Sequence, residues 1–118
     1  MVESILTSTK KVLGIAEAYT AFDTDIITHI NSTFSILVQL GVGPLEGFMI
    51  ADATEEWADF DVSQVWLNLI RSYVFLKVRH IFDPPGTSFL LDAMQKQIQE
   101  FEWRLSTFRE EEAWTAPI

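Results

Sequence analysis

The sequence predicts a mainly α-helical protein, a small bundle of about four helices with a long loop and at most a minor β-hairpin. Three observations support this fold class. Apolar residues recur at steps of three and four over most of the chain. Glycine and proline interrupt that pattern at only a few places. The 118 residues are 48% hydrophobic, which is typical of one folded domain and not of a disordered chain.

The first half of the chain predicts two helices. A short one covers residues 4–13 and ends at Gly14, because glycine readily adopts the left-handed conformation that follows many helices. A second begins at Asp23 as N-cap, with Phe22 and Ile27 spaced for a hydrophobic staple, and ends at Gly41. Its apolar face consists of Ile26, Ile30, Phe34, Leu37 and Val38.

The middle of the chain predicts a long loop over residues 41–53. Three glycines and a proline between positions 41 and 47 exclude regular structure there, and residues 48–50 are the only short apolar run suited to a strand. Asp52 and Glu55 then have capping-box spacing before a helix of one or two turns that carries Trp57 and Phe60.

The second half predicts the two longest helices, joined by a rigid corner. The first of them begins at Asp61, which with Gln64 repeats the capping-box spacing, with Phe60 and Val65 as a staple. It must end before the double proline, because proline lacks the donor that helix continuation needs. Its broad apolar stripe contains Val62, Val65, Trp66, Leu69, Ile70, Tyr73, Val74, Val78, Ile81 and Phe82. The structural corner consists of Asp83, Pro84 and Pro85.

The last helix starts with Thr87 or Ser88 as cap and presents one apolar seam. The seam contains Leu90, Met94, Ile98, Phe101, Leu105 and Phe108. Trp103 lies off this seam and is either a stray surface aromatic or an anchor for another subunit. We expect one helical domain over residues 1–109 and a flexible C-terminal tail over residues 110–118, which is either a frayed end or an arm that orders on binding.

Charge and composition exclude several classes of protein. The net charge is −9, and the chain has no cysteine for a disulfide framework or a thiolate metal site. The negative charge without a basic stripe disfavours sequence-specific nucleic-acid binding, since that binding depends on phosphate neutralisation. No apolar run is long enough to cross a membrane. The sequence therefore predicts a protein with neither a membrane nor a nucleic-acid target.

Four acidic residues form the only group in the sequence whose spacing resembles that of a metal site. Asp52, Glu55, Glu56 and Asp59 are spaced to share one helix face, but no histidine accompanies them, and a solvated face is the favoured interpretation. His29 and His80 fit packing or helix-end positions, and no nucleophile motif includes either. We predict no catalytic residue, no metal and no cofactor, and a protein that is not an enzyme.

Three motifs in the second half carry a family resemblance. They are the run Tyr73-Val74-Phe75-Leu76-Lys77, the Asp83-Pro84-Pro85 corner and the closing Glu102-Trp103-Arg104-Leu105. Over residues 55–109 the chain resembles the small head-tail connector (adaptor) proteins of tailed bacteriophages. The first half matches them only in general layout.

The resemblance implies a structural virion protein of the neck, present in the host cytoplasm during assembly. Such a subunit forms a homo-oligomeric ring, dodecameric by the resemblance, on the portal protein and joins the DNA-filled head to the stopper or tail-completion protein, while DNA passes through the lumen of the ring. A small helical phage accessory or regulatory protein that acts through protein contacts is the alternative. A DNA-associated regulator would need a basic recognition helix, which the mostly apolar helices do not supply.

We predict interface residues from residue type, charge and the resemblance. Those expected to bind partners are Phe48, Met49, Trp103, Glu110, Glu111, Trp114 and Ile118. Charge segregation suggests a second set that pairs between subunits, with acids on one patch and bases on another. The acids are Asp52, Glu55, Glu56 and Asp59, and the bases are Arg71, Lys77 and Arg79.

Overall fold

A computed structural model describes residues 3–44, 46–60, 62 and 64–115, with side chains up to residue 107. The described residues form four α-helices and, before the third, one 3₁₀ turn at Trp57–Phe60. The helices are α1 (Ile5–Val12), α2 (Asp23–Gln39), α3 (Gln64–Phe82) and α4 (Ser88–Thr115). This confirms the predicted fold class. Residues 48–50 form no strand, and the described β-pairing is one isolated bridge between Ser4 and Glu56.

Helix α1 begins with a side-chain cap and buries several hydroxyl groups. The Thr7 backbone N–H donates to Ser4 Oγ at 3.2 Å. Thr9 donates to the Ile5 carbonyl at 2.7 Å, and the Trp57 indole N–H donates to Ser8 Oγ at 2.8 Å. Each of these buried polar groups therefore has a partner, as burial requires.

Helix α2 starts differently from the prediction. Phe22 occupies the N-cap position without a side-chain cap bond, and Asp23 is the first helical residue, so the prediction of Asp23 as N-cap is wrong. The Asp23 carboxylate lies 2.8 Å from Lys10 Nζ instead. Lys10 also donates to the Glu17 and Tyr19 carbonyls at 2.9 and 2.7 Å. The buried lysine thus joins α1, the following loop and the start of α2.

The long loop over residues 41–53 covers an aromatic cluster at the centre of the core. The Phe34 and Phe60 rings stack with centroids 5.2 Å apart, and Phe48 meets both edge-on. Gly43 has a φ of +96°, and a Cβ there would lie 2.5 Å from Phe60 Cζ, so only glycine fits. Asn31 of α2 fixes the end of the loop, accepting from Ile50 N at 2.8 Å and donating to Ile50 O at 3.0 Å.

Helix α3 is the central element, as its broad apolar stripe predicts, but its start differs. It begins at Gln64, and the predicted cap Asp61 lies outside the described residues. Val65 is 76% exposed, so the predicted staple with the fully buried Phe60 is wrong. The buried residues are Leu67, Ile70, Tyr73, Val74 and Val78, of which Leu67 was not in the predicted stripe. The helix ends at Phe82, directly before the corner.

Helix α4 returns along α3 after the corner. The Leu90 backbone N–H donates to Thr87 Oγ1 at 3.3 Å, which identifies Thr87 as the capping side chain. Ile98 and Leu105 are buried, whereas Leu90 is 52% exposed, so the predicted seam is covered only from its middle onward. Phe108 lies outside the described side chains. The backbone is helical to Thr115, and the division at residue 109 between domain and tail stays a prediction.

A polar contact links the two long helices. Tyr73 donates its hydroxyl to the Glu102 carboxylate at 2.7 Å, and Lys77 lies 3.9 Å from the same oxygen. Burial, with the adjacent carboxylate, raises the pKa of Tyr73 well above its usual range. Tyr73 therefore stays protonated and donates to Glu102.

In the part of the chain that is described, no helix is both long and apolar enough to span a membrane.

Candidate protein interaction surfaces

Helix α4 carries two exposed aromatic residues on the side away from the core. Phe89 is 79% exposed and Trp103 is 68% exposed. They are 14 residues apart, four turns of a helix, so both lie on what we call the outer face of α4. Trp103 is exposed, as its off-seam position predicts. Phe89 was missed, because it directly precedes the seam residue Leu90 and its sequence neighbourhood looks apolar.

An apolar depression lies between α3 and α4, and we call it the α3–α4 groove. Its volume is about 350 Å³. The lining residues are Val12, Ser72, Phe75, Leu76, Arg79, Met94, Gln97 and Phe101. Sequence reasoning did not find this groove, because it forms only where three helices meet. Arg79 at its edge is exposed and forms no ion pair with a described side chain.

The predicted partner residues Phe48 and Met49 point to different environments. Phe48 packs on Phe34 and Phe60 at the core, so its side chain mainly contacts residues of its own chain. Met49 is 71% exposed and borders a polar depression of about 310 Å³ against α2. Thr28, Asn31, Ser32 and Ser35 line the rest of that depression. Met49 is therefore the member of this pair that a partner can reach.

Two of the three basic residues proposed for inter-subunit contacts have acidic partners in the same chain. Arg71 lies 2.7 Å from Glu3, and its guanidinium stands 5.6 Å from the centre of the Trp57 ring. Lys77 lies near Glu102, as described above. Arg79 is the remaining base of the set, and the predicted pairing between subunits stays a prediction.

The four acids at positions 52–59 do not share a helix face, so that expectation is wrong. They lie in the loop and in the short 3₁₀ turn, where three carboxylates bind nearby backbone. Asp52 accepts from the Thr54 N–H at 2.8 Å, Glu55 from Ala51 at 2.9 Å, and Asp59 from Glu56 at 2.9 Å. The hydrogen bonds from the Thr54 side chain and backbone lower the pKa of Asp52. These carboxylates stabilise the loop while remaining near solvent.

The described residues contain no group of three or more His, Asp or Glu side chains close enough to hold a metal ion. His29 packs against Phe82 with ring centroids 6.3 Å apart, and His80 lies 3.4 Å from Gln95. Of the other predicted partner residues, Glu110, Glu111 and Trp114 lie beyond the described side chains, and Ile118 lies outside the described residues.

The sequence matches one known protein family over most of its length. The sequence model of one family, described as phage connector protein, matches residues 5–112. No curated protein and no solved structure is significantly similar to the chain. The family match includes α1 to α3, most of α4 and the three motifs on which the resemblance was based. The chain therefore belongs to the phage connector protein family, structural proteins of the head-tail connection in bacteriophage virions.

Proposed function

We propose that the chain is a head-tail connector subunit that assembles as a homo-oligomeric ring on the portal vertex and joins the filled head to the stopper or tail. The observation that carries this proposal is the family match over residues 5–112. The resemblance of the second half to adaptor proteins supports a position in the neck. In this role the protein acts through its surfaces and performs no chemistry.

Trp103 is the best candidate for an anchor on a neighbouring protein. It is 68% exposed, and an indole of this exposure contributes strongly to binding when a partner covers it. It stands on α4, whose contact with α3 through Tyr73 and Glu102 keeps the helix in a defined place. A partner therefore meets an aromatic side chain on a rigid support, and little conformational freedom is lost on binding.

Charge supports a ring around DNA rather than a protein that binds DNA tightly. The chain has 17 acidic and 8 basic residues, and four of the basic ones form ion pairs within the described part of the chain. Few cations are left for phosphate contacts, and each such contact would add affinity. A lumen formed by such subunits repels the DNA backbone and lets the duplex pass.

The test of this role is electron microscopy of lysates from phage with a stop codon at Gln64. We expect separate tails beside heads that have packaged DNA or have lost it again. Supply of the intact chain from a plasmid restores joined virions and excludes a polar effect on neighbouring genes. Normal virions without the chain, or arrest before packaging, would contradict the connector role and favour the accessory or regulatory alternative.

A point substitution tests the anchor. We expect Trp103→Ala to keep the melting temperature of the wild type and to lower co-sedimentation with portal rings, since truncation of an interface tryptophan costs about 2 kcal/mol or more. Val65→Ala is the matched control, because Val65 is 76% exposed on a different helix. Equal portal binding by both variants would exclude Trp103 as the anchor.

A further inference from the structure

The α3–α4 groove combines apolar walls with a positive charge at its edge. Phe75, Leu76, Met94 and Phe101 supply the apolar walls, and Arg79 stands at the edge. The lining contains no carboxylate, and Arg79 forms no ion pair with a described side chain. This arrangement fits an aromatic side chain that has a carboxylate close by. Methionine and arginine both make favourable contacts with aromatic rings.

Four aromatic side chains in the described part of the chain are exposed enough to act as the occupant. Tyr19 and Phe22 contact each other with ring centroids 5.7 Å apart, and Phe22 also packs on Phe82. Both are therefore engaged within their own chain. Trp103 and Phe89 remain, and the charges near them decide between the two.

Trp103 is followed by Arg104, which binds Glu100 at 2.8 Å, so the acid three residues before Trp103 already has a partner in its own chain. Phe89 is 79% exposed, and Asp92 follows it one helical turn later. Asp92 is exposed and forms no ion pair with any described side chain. Phe89 thus supplies an aromatic ring that suits the groove, and Asp92 beside it supplies a carboxylate that can pair with Arg79.

We propose that Phe89 of one copy inserts into the α3–α4 groove of the next copy, with Asp92 of the first pairing with Arg79 of the second. This inference rests on the proposed ring. At 100° per residue, Phe89 is rotated by about 80–140° from the α4 residues that line the groove, so a chain does not fill its own groove. The contact joins two different patches, and a contact of this heterologous kind propagates head to tail and forms a ring where the rotation between copies closes.

Cysteine pairs test the contact, since the chain has no cysteine of its own. The variant Phe89→Cys with Met94→Cys is supplied from a plasmid during infection by the phage with the stop codon, and purified virions are oxidised. Positions 89 and 94 are about 7.5 Å apart along the helix axis, too far for a disulfide within one chain. We expect a ladder of covalent dimers, trimers and larger species on a non-reducing gel, and each single cysteine variant yields dimers at most.

The competing occupant is tested in the same way with Trp103→Cys and Met94→Cys. A ladder from this pair, with only monomers from the pair at 89 and 94, would assign the groove to Trp103 and overturn the proposal. Monomers from both pairs in virions that contain the chain would show that the groove is not an interface between copies. Virions that lack the chain altogether would contradict the proposed connector role itself, and the two failures are therefore distinguishable.

Charge exchange gives a second test that does not depend on cysteine. Arg79→Asp alone and Asp92→Arg alone each place like charges at every contact, and we expect each to lower virion yield more than about tenfold. Co-expression of the two variants creates alternating contacts, native in one and charge-reversed in the next, and restores the yield. Wild-type yield from both single variants, or no restoration by the mixture when both single variants are soluble and folded, would refute the pairing.

Discussion

Replacement of Asp23 by asparagine tests the ion pair that joins α1 to α2. The substitution keeps the shape of the side chain and removes the charge that lies 2.8 Å from Lys10 Nζ. Asp23 Oδ1 is buried and has no hydrogen-bond partner besides this ion pair. Lys10 is 3% exposed at its side chain, so the variant leaves a buried amino group without its acidic partner.

The size of the effect follows from the burial of the two partners. Removal of one member of a fully buried pair costs about 3–5 kcal/mol. Asp23 is 26% exposed at its side chain, and Lys10 keeps the carbonyls of Glu17 and Tyr19. We therefore expect the free energy of unfolding to fall by about 2 kcal/mol. In a domain of this size that corresponds to about 8 °C in melting temperature.

Asp25→Asn is the matched control for this experiment. Asp25 stands in the same first turn of α2 but is exposed and has no described ion pair, so its loss reports only the interaction with the helix dipole. The assay is urea denaturation followed by circular dichroism, with the two variants compared at one ionic strength. A difference below about 0.5 kcal/mol between them would refute the reasoning that the Lys10 contact holds the α1–α2 junction.

Two further substitutions test the loop and the link between the long helices. Gly43→Ala is expected to lower the free energy of unfolding by about 3 kcal/mol in the same denaturation assay, because φ is positive at residue 43 and the added methyl group meets the Phe60 ring. Gly86→Ala is the control: there is open space around Gly86, and we expect the free energy of unfolding to change by less than about 0.5 kcal/mol. Above pH about 10, unfolded Tyr73 loses its proton and the folded side chain keeps it, so the free energy of unfolding falls by about 1.4 kcal/mol per pH unit from this group. Tyr73→Phe removes that component of the slope and Tyr19→Phe retains it; equal slopes in the two variants would contradict the assignment.

The helices were predictable from the sequence because each carries an apolar face with regular spacing. The buried residues Ile26, Ile30 and Phe34 show this for α2. The starts of the helices were less predictable, since an aspartate accepts hydrogen bonds from a helix end and also pairs with a cation. At Asp23 the second role applies, because Lys10 from α1 lies within reach. Only the three-dimensional arrangement shows which role a given carboxylate has.

The candidate surfaces were only partly predictable for a similar reason. Trp103 was identified from its position off the seam of its own helix, which is local information. The partners of Arg71 and Lys77 are Glu3 and Glu102, at separations of 68 and 25 residues, and no local pattern indicates them. The α3–α4 groove likewise depends on how three helices meet. Sequence reasoning therefore found the exposed tryptophan but not the groove.

The uneven burial of α4 connects the fold with the proposed assembly. The helix has 28 residues and is about 42 Å long, yet between residues 88 and 107 its buried side chains are Ile98 and Leu105. A helix with so narrow a buried stripe leaves most of its surface available for another protein. Phe89 near one end and Trp103 further along give that surface two separate aromatic positions. A subunit in a ring between two other neck proteins needs more than one contact surface, and α4 supplies candidates for two of them.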